Sequence, residues 1–356
     1  MADVLLISKP LAPPWTDGAK NLVRHLLAHQ TGRHDFRCFI PQGEKTPAGA
    51  NVAEAIYKDA GKYTPGLIQN ARVLARLMAP DRADIYHFFF APNPRTNRVA
   101  KALFHVKRRV VVHTVVSKPM GPVKTWFAQT HVALSEDTAS ALRAAGAPDV
   151  RIIQPGIPAF NNANCRVDRA RFGIPQEATT VLFAGDLIEG GGADALADAL
   201  LKLPQLHGVF ACRAKGTGHQ EHRKWLQQKL GDQATWLGEV SDMSALLRAV
   251  DIQCLPARTL AAKMDLPMVL LEGMQAGLPT VISATSPICE LGGEEEGVLQ
   301  IDPSRLAHLE TLLSRLAQDP EWRRKLGHLA QKRVQSCFDA AAMAASYETL
   351  YDELCP

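Results

Sequence analysis

Short apolar runs alternate with amphipathic helical patterns along almost all of the 356 residues. The apolar runs are continuous, as in Val4–Ser8 and Arg109–Val116, which is typical of strands that are buried on both faces. Helical patterns lie between them, for example over residues 19–30 and 67–78. This order favours an α/β architecture in which helices cover both faces of parallel sheets.

The alternating pattern stops and restarts near the middle of the chain. A break at Gln154–Pro158 precedes the polar stretch Asn161–Asn164, which we interpret as a linker. The length suits two domains of ordinary size. We therefore expect an N-terminal domain over residues 1–158 and a second domain over 159–339. A final helix is predicted over 340–354.

The two halves of the chain carry opposite charge. Residues 1–158 hold 21 lysines and arginines against 11 acidic residues, whereas residues 159–356 hold 19 against 25. A basic half favours an anionic partner, such as acidic lipids, a lipid phosphate or an acidic glycan. The alternative is a solvated basic surface without a partner. A nucleic acid is not expected, because no recognition-helix motif is present.

Cysteine usage and hydropathy bear on the cellular compartment. The seven cysteines are scattered singly and form no Cys-x-x-Cys pair, which is typical of reduced thiols rather than of a zinc or redox site. The first residues lack a basic segment followed by a long apolar run, and the sequence has no apolar run of 18 residues. We expect a cytoplasmic protein, with a peripheral position at the inner face of the membrane as the alternative.

A glutamate interrupts the most apolar helical pattern of the chain. The pattern runs over Met268–Gln275, and Gly277 and Pro279 end it. A carboxylate in the middle of a largely buried helix costs free energy unless it is hydrogen-bonded. Glu272 therefore needs a partner, either a ligand hydroxyl or a neighbouring lysine or arginine.

The sequence around Glu272 resembles a known ligand-binding pattern. Residues 270–282, LLEGMQAGLPTVI, resemble the donor-site helix of family 4 retaining glycosyltransferases of the GT-B fold, E-G-F-G-L-V-x-L-E-A-M-A-x-G-x-P-V-V. The resemblance implies two Rossmann-like parallel-sheet domains facing a cleft, with the C-terminal helix crossing back to the first domain. It also implies that Glu272 binds the ribose hydroxyls of a nucleotide. The first glutamate of the pattern is replaced by Met264, and its G-F-G by Asp265–Pro267.

A glycine-rich loop departs from the same family in a related way. Residues 184–193, AGDLIEGGGA, resemble the family's V-G-R-L-x-x-x-K-G loop, whose arginine and lysine hold the diphosphate. Asp186 replaces that arginine, and Gly191 or Gly190 replaces the lysine. Backbone N–H groups in a run of glycines still bind phosphate.

Cations from neighbouring loops are candidates to replace the two missing ones. Arg213 and Lys215 follow the next predicted strand, and Lys263 precedes the helix of Glu272. Positive charges at this edge of the sheet stabilise a leaving diphosphate. The alternative is that they are ordinary loop cations in solvent.

Polar residues also follow predicted strands in the first half. His87 and His113 fall near the carboxyl ends of strands, where open α/β sheets bind ligands, although each is also compatible with a structural role. Asp17 and Gly18 lie between the first strand and the first helix, in a loop similar to the family's glycine loop; the alternative is an ordinary turn.

The resemblance, together with the polar and cationic residues that lie near strand ends and before the helix of Glu272, predicts the following site. The catalytic residues are His113, Arg213 and Lys263. The donor and nucleotide contacts are Glu272, Lys215, Gly190, Gly191, Leu237, Gly238, Val240, Asp265, Leu266, Pro267 and Met268. The acceptor and phosphate loop contributes Asp17, Gly18 and His87.

The function implied is that of a retaining glycosyltransferase. A sugar passes from a nucleotide-diphospho-sugar to an acceptor hydroxyl, in the synthesis of a glycan, a glycolipid or a cell-envelope polysaccharide. The expected partners are the nucleotide-sugar and a lipid-linked or acidic acceptor, and neither a metal nor a cofactor is expected. The alternatives are an epimerase or phosphorylase on the same scaffold, and a catalytically degenerate partner or scaffold protein. An NADP-dependent oxidoreductase is disfavoured, because the G-x-G-x-x-G fingerprint is missing.

Overall fold

The chain forms two compact units in a computed structural model. The first unit comprises Met1–Pro158, Ala262–Asp265 and Phe338–Pro356, and the second comprises Ala159–Ala261 and Leu266–Cys337. The structure describes residues 1–59, 66–79, 83–107, 109–119, 121, 123, 125–159, 167–213, 217–260 and 263–356, without the side chains of residues 67, 95, 103–107 and 217. The predicted linker Asn161–Asn164 lies outside these residues.

The first unit is built on a seven-stranded parallel sheet in the order β3-β2-β1-β4-β5-β6-β7. Its strands are β1 (Asp3–Ile7), β2 (Asp35–Pro41), β3 (Val52–Tyr57), β4 (Ile85–Phe90), β5 (Val110–Val115), β6 (Thr130–Ala133) and β7 (Val150–Ile152). Its helices are α1 (Gly18–His29), α2 (Leu67–Met78), α3 (Pro94–Lys107), α4 (Glu136–Ala144) and, from the end of the chain, α11 (Ala340–Leu354).

The two faces of this sheet are covered by different helices. Leu22 of α1 and Tyr347 of α11 belong to the hydrophobic cluster on one face. Leu77 of α2 and Ala100 of α3 belong to the cluster on the other face. The central strands are buried from both sides, which explains why their sequences are continuously apolar.

Helix α11 is joined to the centre of the sheet by a buried chain of hydrogen bonds. The hydroxyl of Tyr351 lies 2.6 Å from Nδ1 of His87, and Nε2 of His87 lies 2.8 Å from Oγ1 of Thr114. Oγ1 of Thr114 lies 3.1 Å from the hydroxyl of Tyr347. All four side chains are fully buried. Because a buried polar atom without a hydrogen bond is costly, each of these side chains depends on its neighbours in the network. The prediction that the last helix packs on the first domain is confirmed.

The second unit is built on a six-stranded parallel sheet in the order β10-β9-β8-β11-β12-β13. Its strands are β8 (Thr179–Asp186), β9 (Leu206–Arg213), β10 (Ala234–Leu237), β11 (Ile252–Leu255), β12 (Thr280–Ser283) and β13 (Val298–Ile301). Its helices are α5 (Ala193–Leu201), α6 (Thr217–Leu230), α7 (Met243–Ala249), α8 (Met268–Gln275), α9 (Leu306–Gln318) and α10 (Pro320–Cys337).

Strand order reverses between β8 and β11, which are hydrogen-bonded neighbours. The chain leaves these two strands in opposite directions, and the crevice at their carboxyl ends is where open α/β sheets bind ligands. The loop after β8 is the glycine-rich loop, and the loop after β11 leads to the helix of Glu272. In the described part of the chain, no helix is long and apolar enough to cross a membrane.

Candidate functional site

The glycine-rich loop turns tightly between β8 and α5. The N–H of Ile188 donates to the carbonyl of Asp186 at 3.0 Å, and the N–H of Gly191 donates to the carbonyl of Ile188 at 2.9 Å. Gly190 and Gly192 have φ values of +69° and +101°, which glycine adopts without strain. Gly192 is the N-cap of α5 and offers no side-chain cap. The first backbone N–H groups of α5 are therefore left for a ligand or for water.

The loop after β11 packs against the glycine loop through its backbone. The N–H groups of Arg258 and Thr259 donate to the carbonyl of Gly190 at 2.8 and 3.2 Å. A Cβ atom on Gly192 would lie 2.9 Å from the carbonyl carbon of Pro256, so no larger residue fits. These contacts fix the two loops as one structure at the switch point of the sheet.

Arg258 is a candidate that the sequence reasoning missed. It is exposed, it lies in the loop that is bonded to Gly190, and its guanidinium has no ion-pair partner among the described residues. The signal was available, because Arg258 comes three residues after the last residue of the strand that adjoins β8. The resemblance drew attention instead to the more distant Lys263.

Arg213 has a different environment from the one expected of a phosphate ligand. Its Nε donates to Oδ1 of Asp186 at 3.0 Å, and the two residues are register partners at the ends of β9 and β8. Their side chains are 21% and 12% exposed, so water screens the pair only in part. Asp186, which stands where the family has its phosphate arginine, is thus neutralised by Arg213. The pair as a whole brings no net positive charge to the glycine loop.

Glu272 lies on the outer stripe of α8. Val269, Glu272 and Ala276 are half-buried, at i, i+3 and i+7, while the remaining side chains of the helix are buried. The helix ends in a Schellman motif: the N–H of Leu278 donates to the carbonyl of Gly273, and the N–H of Gly277 to that of Met274, both at 3.0 Å. Gly277 has a φ of +82°, as this motif requires. The glutamate is therefore held on a short, rigid helix with its side chain outside the core.

A second departure from the family pattern has a packing reason. The family has alanine after its glutamate, and this chain has Gly273. A Cβ atom there would lie 2.1 Å from Oε1 of Gln253 on β11. Nε2 of Gln253 donates to the carbonyl of Leu270 at 2.8 Å and to Oγ1 of Thr280 at 2.6 Å. A buried glutamine thus sets the position of α8 on the sheet, and the missing methyl group makes room for it.

Several other predicted donor residues have buried or packed side chains, so only their main chain is suited to contact a ligand. Leu266, Pro267 and Met268 are buried at the start of α8. Leu237 and Val240, at the end of β10, pack against a hydrophobic cluster of the second unit, and Gly238 between them borders open space. These residues can frame a ligand with their main chain, while their side chains hold the loops in place. Lys215 lies outside the described residues.

Asp265 is buried and hydrogen-bonded within the first unit. It is 2% exposed and belongs to the first unit, where Oδ1 accepts the N–H of Lys118 at 2.7 Å and Oδ2 accepts the hydroxyl of Ser135 at 2.9 Å. Burial raises the pKa of this carboxyl to about 6, although these hydrogen bonds oppose the rise. The carboxylate of Asp265 is therefore an internal anchor of the first unit, and its assignment to the donor site stays a prediction. Lys263 is half-buried and also belongs to the first unit, whereas Arg213 belongs to the second.

The two candidate histidines are both fully buried. Nε2 of His113 lies 3.0 Å from the carbonyl of Phe90, and its ring packs between those of Phe90 and Phe127, with centroids 4.4 and 4.9 Å away. Burial, followed by the nearby His131, lowers the pKa of His113 to about 3. Burial also lowers the pKa of His87 well below its ordinary value. The lowered pKa values favour the neutral form of both enclosed rings, and His87 takes the structural role that the sequence left open, in the hydrogen-bond chain to α11.

The loop after β1 has a rigid structure of its own. Oδ1 of Asp17 accepts the N–H groups of Ala19 and Lys20 as the N-cap of α1, and Oδ2 pairs with Lys9 at 2.5 Å. Gly18 is the first residue of α1. The amine of the buried Lys20 donates to the carbonyls of Ala12 and Pro14 at 2.5 and 3.1 Å. The carboxylate of Asp17 is thus committed to the helix and to Lys9, and it organises this loop.

Both loops of the second-unit site lie inside a region that matches a known family. Residues 166–333 match the model of glycosyl transferases group 1, from before the glycine loop to beyond α8. We refer to this matched region as the group 1 domain; it spans most of the second unit and includes Glu272, Arg258 and the Asp186–Arg213 pair.

The sequence is also similar to those of individual curated proteins. The GDP-mannose-dependent monoacylated alpha-(1-6)-phosphatidylinositol monomannoside mannosyltransferase of Corynebacterium glutamicum is 28% identical over 199 residues, which is 53% of this chain and 50% of that protein. The chain spans half or less of the length of the curated relatives it matches.

Solved structures share the architecture of the whole chain. Sucrose-phosphate synthase from Thermosynechococcus elongatus aligns with a TM-score of 0.78 and 19% identity, over 99% of both chains. Anabaena Alr3699/HepE in complex with UDP and glucose aligns with a TM-score of 0.77 and 17% identity, over 99% of this chain and 100% of that one. These similarities confirm the predicted GT-B fold of two Rossmann-like units.

Proposed function

We propose that the protein is a retaining glycosyltransferase that moves a sugar from a nucleotide-diphospho-sugar to an acceptor hydroxyl. The observation that carries the proposal is the group 1 domain itself, because it holds Glu272 and the glycine loop at the switch point of one sheet. The complex of Anabaena HepE with UDP and glucose supports the choice of donor class.

Glu272 is proposed to bind the ribose of the donor nucleotide. It lies on the outer stripe of α8, and the Schellman motif and the buried Gln253 hold this helix in place. A carboxylate accepts hydrogen bonds from two adjacent hydroxyls, which matches a ribose diol. The rigidity of the helix lowers the entropic cost of that contact.

The glycine loop and Arg258 are proposed to hold the diphosphate. The N-terminus of α5 and the backbone N–H groups of the loop favour a negative charge. The exposed guanidinium of Arg258 replaces the cations that this loop has lost, while Arg213 neutralises Asp186. Charge that develops on the departing diphosphate is stabilised in this way during transfer.

No protein nucleophile or general base is assigned to the chemical step. In the proposed mechanism the departing diphosphate takes the proton of the acceptor hydroxyl on the same face of the sugar, so that the anomeric configuration is retained. The protein contributes positioning and electrostatic stabilisation. His113 is not assigned a proton-transfer role, because its ring is buried and its pKa is about 3. We also propose that the reaction needs no metal ion.

The acceptor is proposed to be membrane-borne or acidic. The basic charge of residues 1–158 supports this proposal, as does the phosphatidylinositol monomannoside named for the Corynebacterium relative.

The deciding experiment measures binding first and turnover second. A thermal-shift panel of nucleotide diphosphates and nucleotide-sugars should contain at least one compound that raises the melting temperature. The best donor is then incubated with and without glycolipid acceptors in the presence of EDTA, and the anomeric configuration of the product is read by NMR. Conversion of the donor without acceptor would indicate an epimerase. Failure of every nucleotide to bind would indicate a non-enzymatic scaffold, and either result overturns the proposal.

A further inference from the structure

Helices α2 and α3 both pack on the same face of the first-unit sheet. Leu77 of α2 and Ala100 of α3 belong to one hydrophobic cluster, whereas α1 and α11 cover the opposite face. The outward faces of α2 and α3 are therefore presented on the same side of the unit.

The outward face of α2 is apolar. Ile68, Ala71, Ala75 and Met78 are all exposed, and their spacing of three, four and three residues places them in one stripe along the helix. Ile68 is 75% exposed and Met78 is 53% exposed. On α3, Val99 is 52% exposed. Single exposed apolar residues are common, but a stripe of them along one helix marks an interaction surface.

The polar residues of these helices carry only one sign of charge. The 26 residues of α2 and α3 include six lysines and arginines and no aspartate or glutamate. Arg72, Arg98 and Lys101 are exposed beside the apolar residues. Arg76 differs, because its guanidinium is bonded to Glu54 of β3.

We propose that this surface, formed by Ile68, Met78 and Val99 with Arg72, Arg98 and Lys101, binds the surface of an anionic lipid bilayer. A bilayer interface accepts apolar side chains between the headgroups and attracts adjacent cations, so both features contribute to binding. An acidic polymer in solution would use the cations and leave the apolar stripe in water. The surface belongs to the first unit and includes none of the proposed donor residues, so the inference does not depend on the transfer reaction.

The test uses the full chain and vesicle sedimentation. We expect binding to phosphatidylcholine vesicles that contain phosphatidylglycerol, little binding to phosphatidylcholine alone, and weaker binding at high salt. The variant Ile68→Ser/Met78→Ser should weaken binding at every salt concentration. The variant Arg72→Glu/Lys101→Glu should weaken it by about tenfold or more and remove the salt dependence.

Two variants in the second unit serve as matched controls. Leu201→Ser replaces a side chain that is 46% exposed, and Arg324→Glu/Lys325→Glu makes the same charge change on the exposed side of α10. Both should bind vesicles like the wild type and have unchanged nucleotide affinity. The proposal is overturned if the wild type does not sediment with anionic vesicles, or if the control variants lose as much binding as the α2 and α3 variants. Binding to dextran sulphate that is insensitive to Ile68→Ser/Met78→Ser, without vesicle binding, would assign the surface to an acidic polymer instead.

Discussion

Nε of Arg213 lies 3.0 Å from Oδ1 of Asp186, and this ion pair closes the ends of two adjacent strands beside the glycine loop. The family places an arginine at the position of Asp186, so this chain has reversed the charge there and set a compensating arginine one strand away. The ion pair explains why both residues occur together, because either one alone would leave an uncompensated charge at the proposed phosphate-binding edge.

A double-mutant cycle tests that compensation. Arg213→Ala leaves the carboxylate of Asp186 facing the diphosphate, and we expect nucleoside diphosphate affinity to fall about tenfold from the repulsion. Asp186→Ala/Arg213→Ala should recover most of that loss, because the repelling charge is gone. Isothermal titration calorimetry measures all four proteins. Purely additive losses would show that the two residues act independently on the ligand.

Arg258 should respond to the number of phosphates on the ligand. Arg258→Ala removes a charge-assisted contact, so nucleoside diphosphate affinity should fall about tenfold or more, while nucleoside monophosphate affinity changes little. Arg258→Lys should retain part of the affinity. Arg305→Ala, an exposed arginine before α9, is the matched control and should bind normally. Equal losses for both ligands would place Arg258 elsewhere than at the terminal phosphate.

The contribution of Glu272 to nucleotide affinity should depend on the ribose hydroxyls of the ligand. Glu272→Ala should weaken binding of the ribonucleotide roughly tenfold to a hundredfold, because a charged hydrogen bond is lost. The same substitution should have little effect on a 2′,3′-dideoxy nucleotide, which lacks the partner groups. Glu290→Ala, a half-buried glutamate of the same unit, serves as the control. A loss of similar size for the dideoxy ligand would contradict the assignment.

The raised pKa of Asp265 predicts how the free energy of unfolding depends on pH. Its pKa is raised to about 6 in the folded protein, so the folded state holds this proton more tightly than the unfolded state does. The contribution of this group to the free energy of unfolding is therefore present below about pH 4 and is lost as the pH rises to about 6, by about 3 kcal/mol. Asp265→Asn should be as stable as the wild type or more so at neutral pH, and should lack this slope.

Thermal unfolding between pH 4 and pH 7 provides the measurement. Asp232→Asn, which removes an exposed carboxylate, should keep the pH profile of the wild type. If the profiles of Asp265→Asn and the wild type coincide, the carboxyl of Asp265 titrates normally in the folded protein.

Much of the architecture follows from patterns in the sequence. The bounds of α2, α8 and α11 were predicted as observed, because their apolar periodicity ends at clear signals such as Gly277. Strand β3 was missed because it lies towards the edge of the sheet, where Val52 and Ala55 are exposed and the apolar run is broken. Helix α3 was missed because charged and polar residues surround the buried positions that the structure describes in it, Asn97 and Ala100.

The site was harder to predict than the fold, because its side chains are brought together by pairing between strands that are separated in the sequence. Nothing local to Arg213 indicates that it opposes Asp186, and this follows only from the parallel register of β8 and β9. The burial of His87 and His113 depends on α11 and on Phe127, which are distant in sequence. Asp265 was assigned by its place in a motif, whereas its hydrogen bonds run to Lys118 and Ser135 of the first unit.

The hydrogen-bond chain from Tyr351 to His87 has a consequence for how the protein is made. The core of the first unit includes Tyr347 and Tyr351, which the ribosome adds almost 200 residues after Pro158. Although most of the first unit is synthesised early, its core therefore cannot be completed until α11 has emerged from the ribosome. During that interval the part of the sheet face that α11 covers stays exposed, and exposed apolar surface favours aggregation.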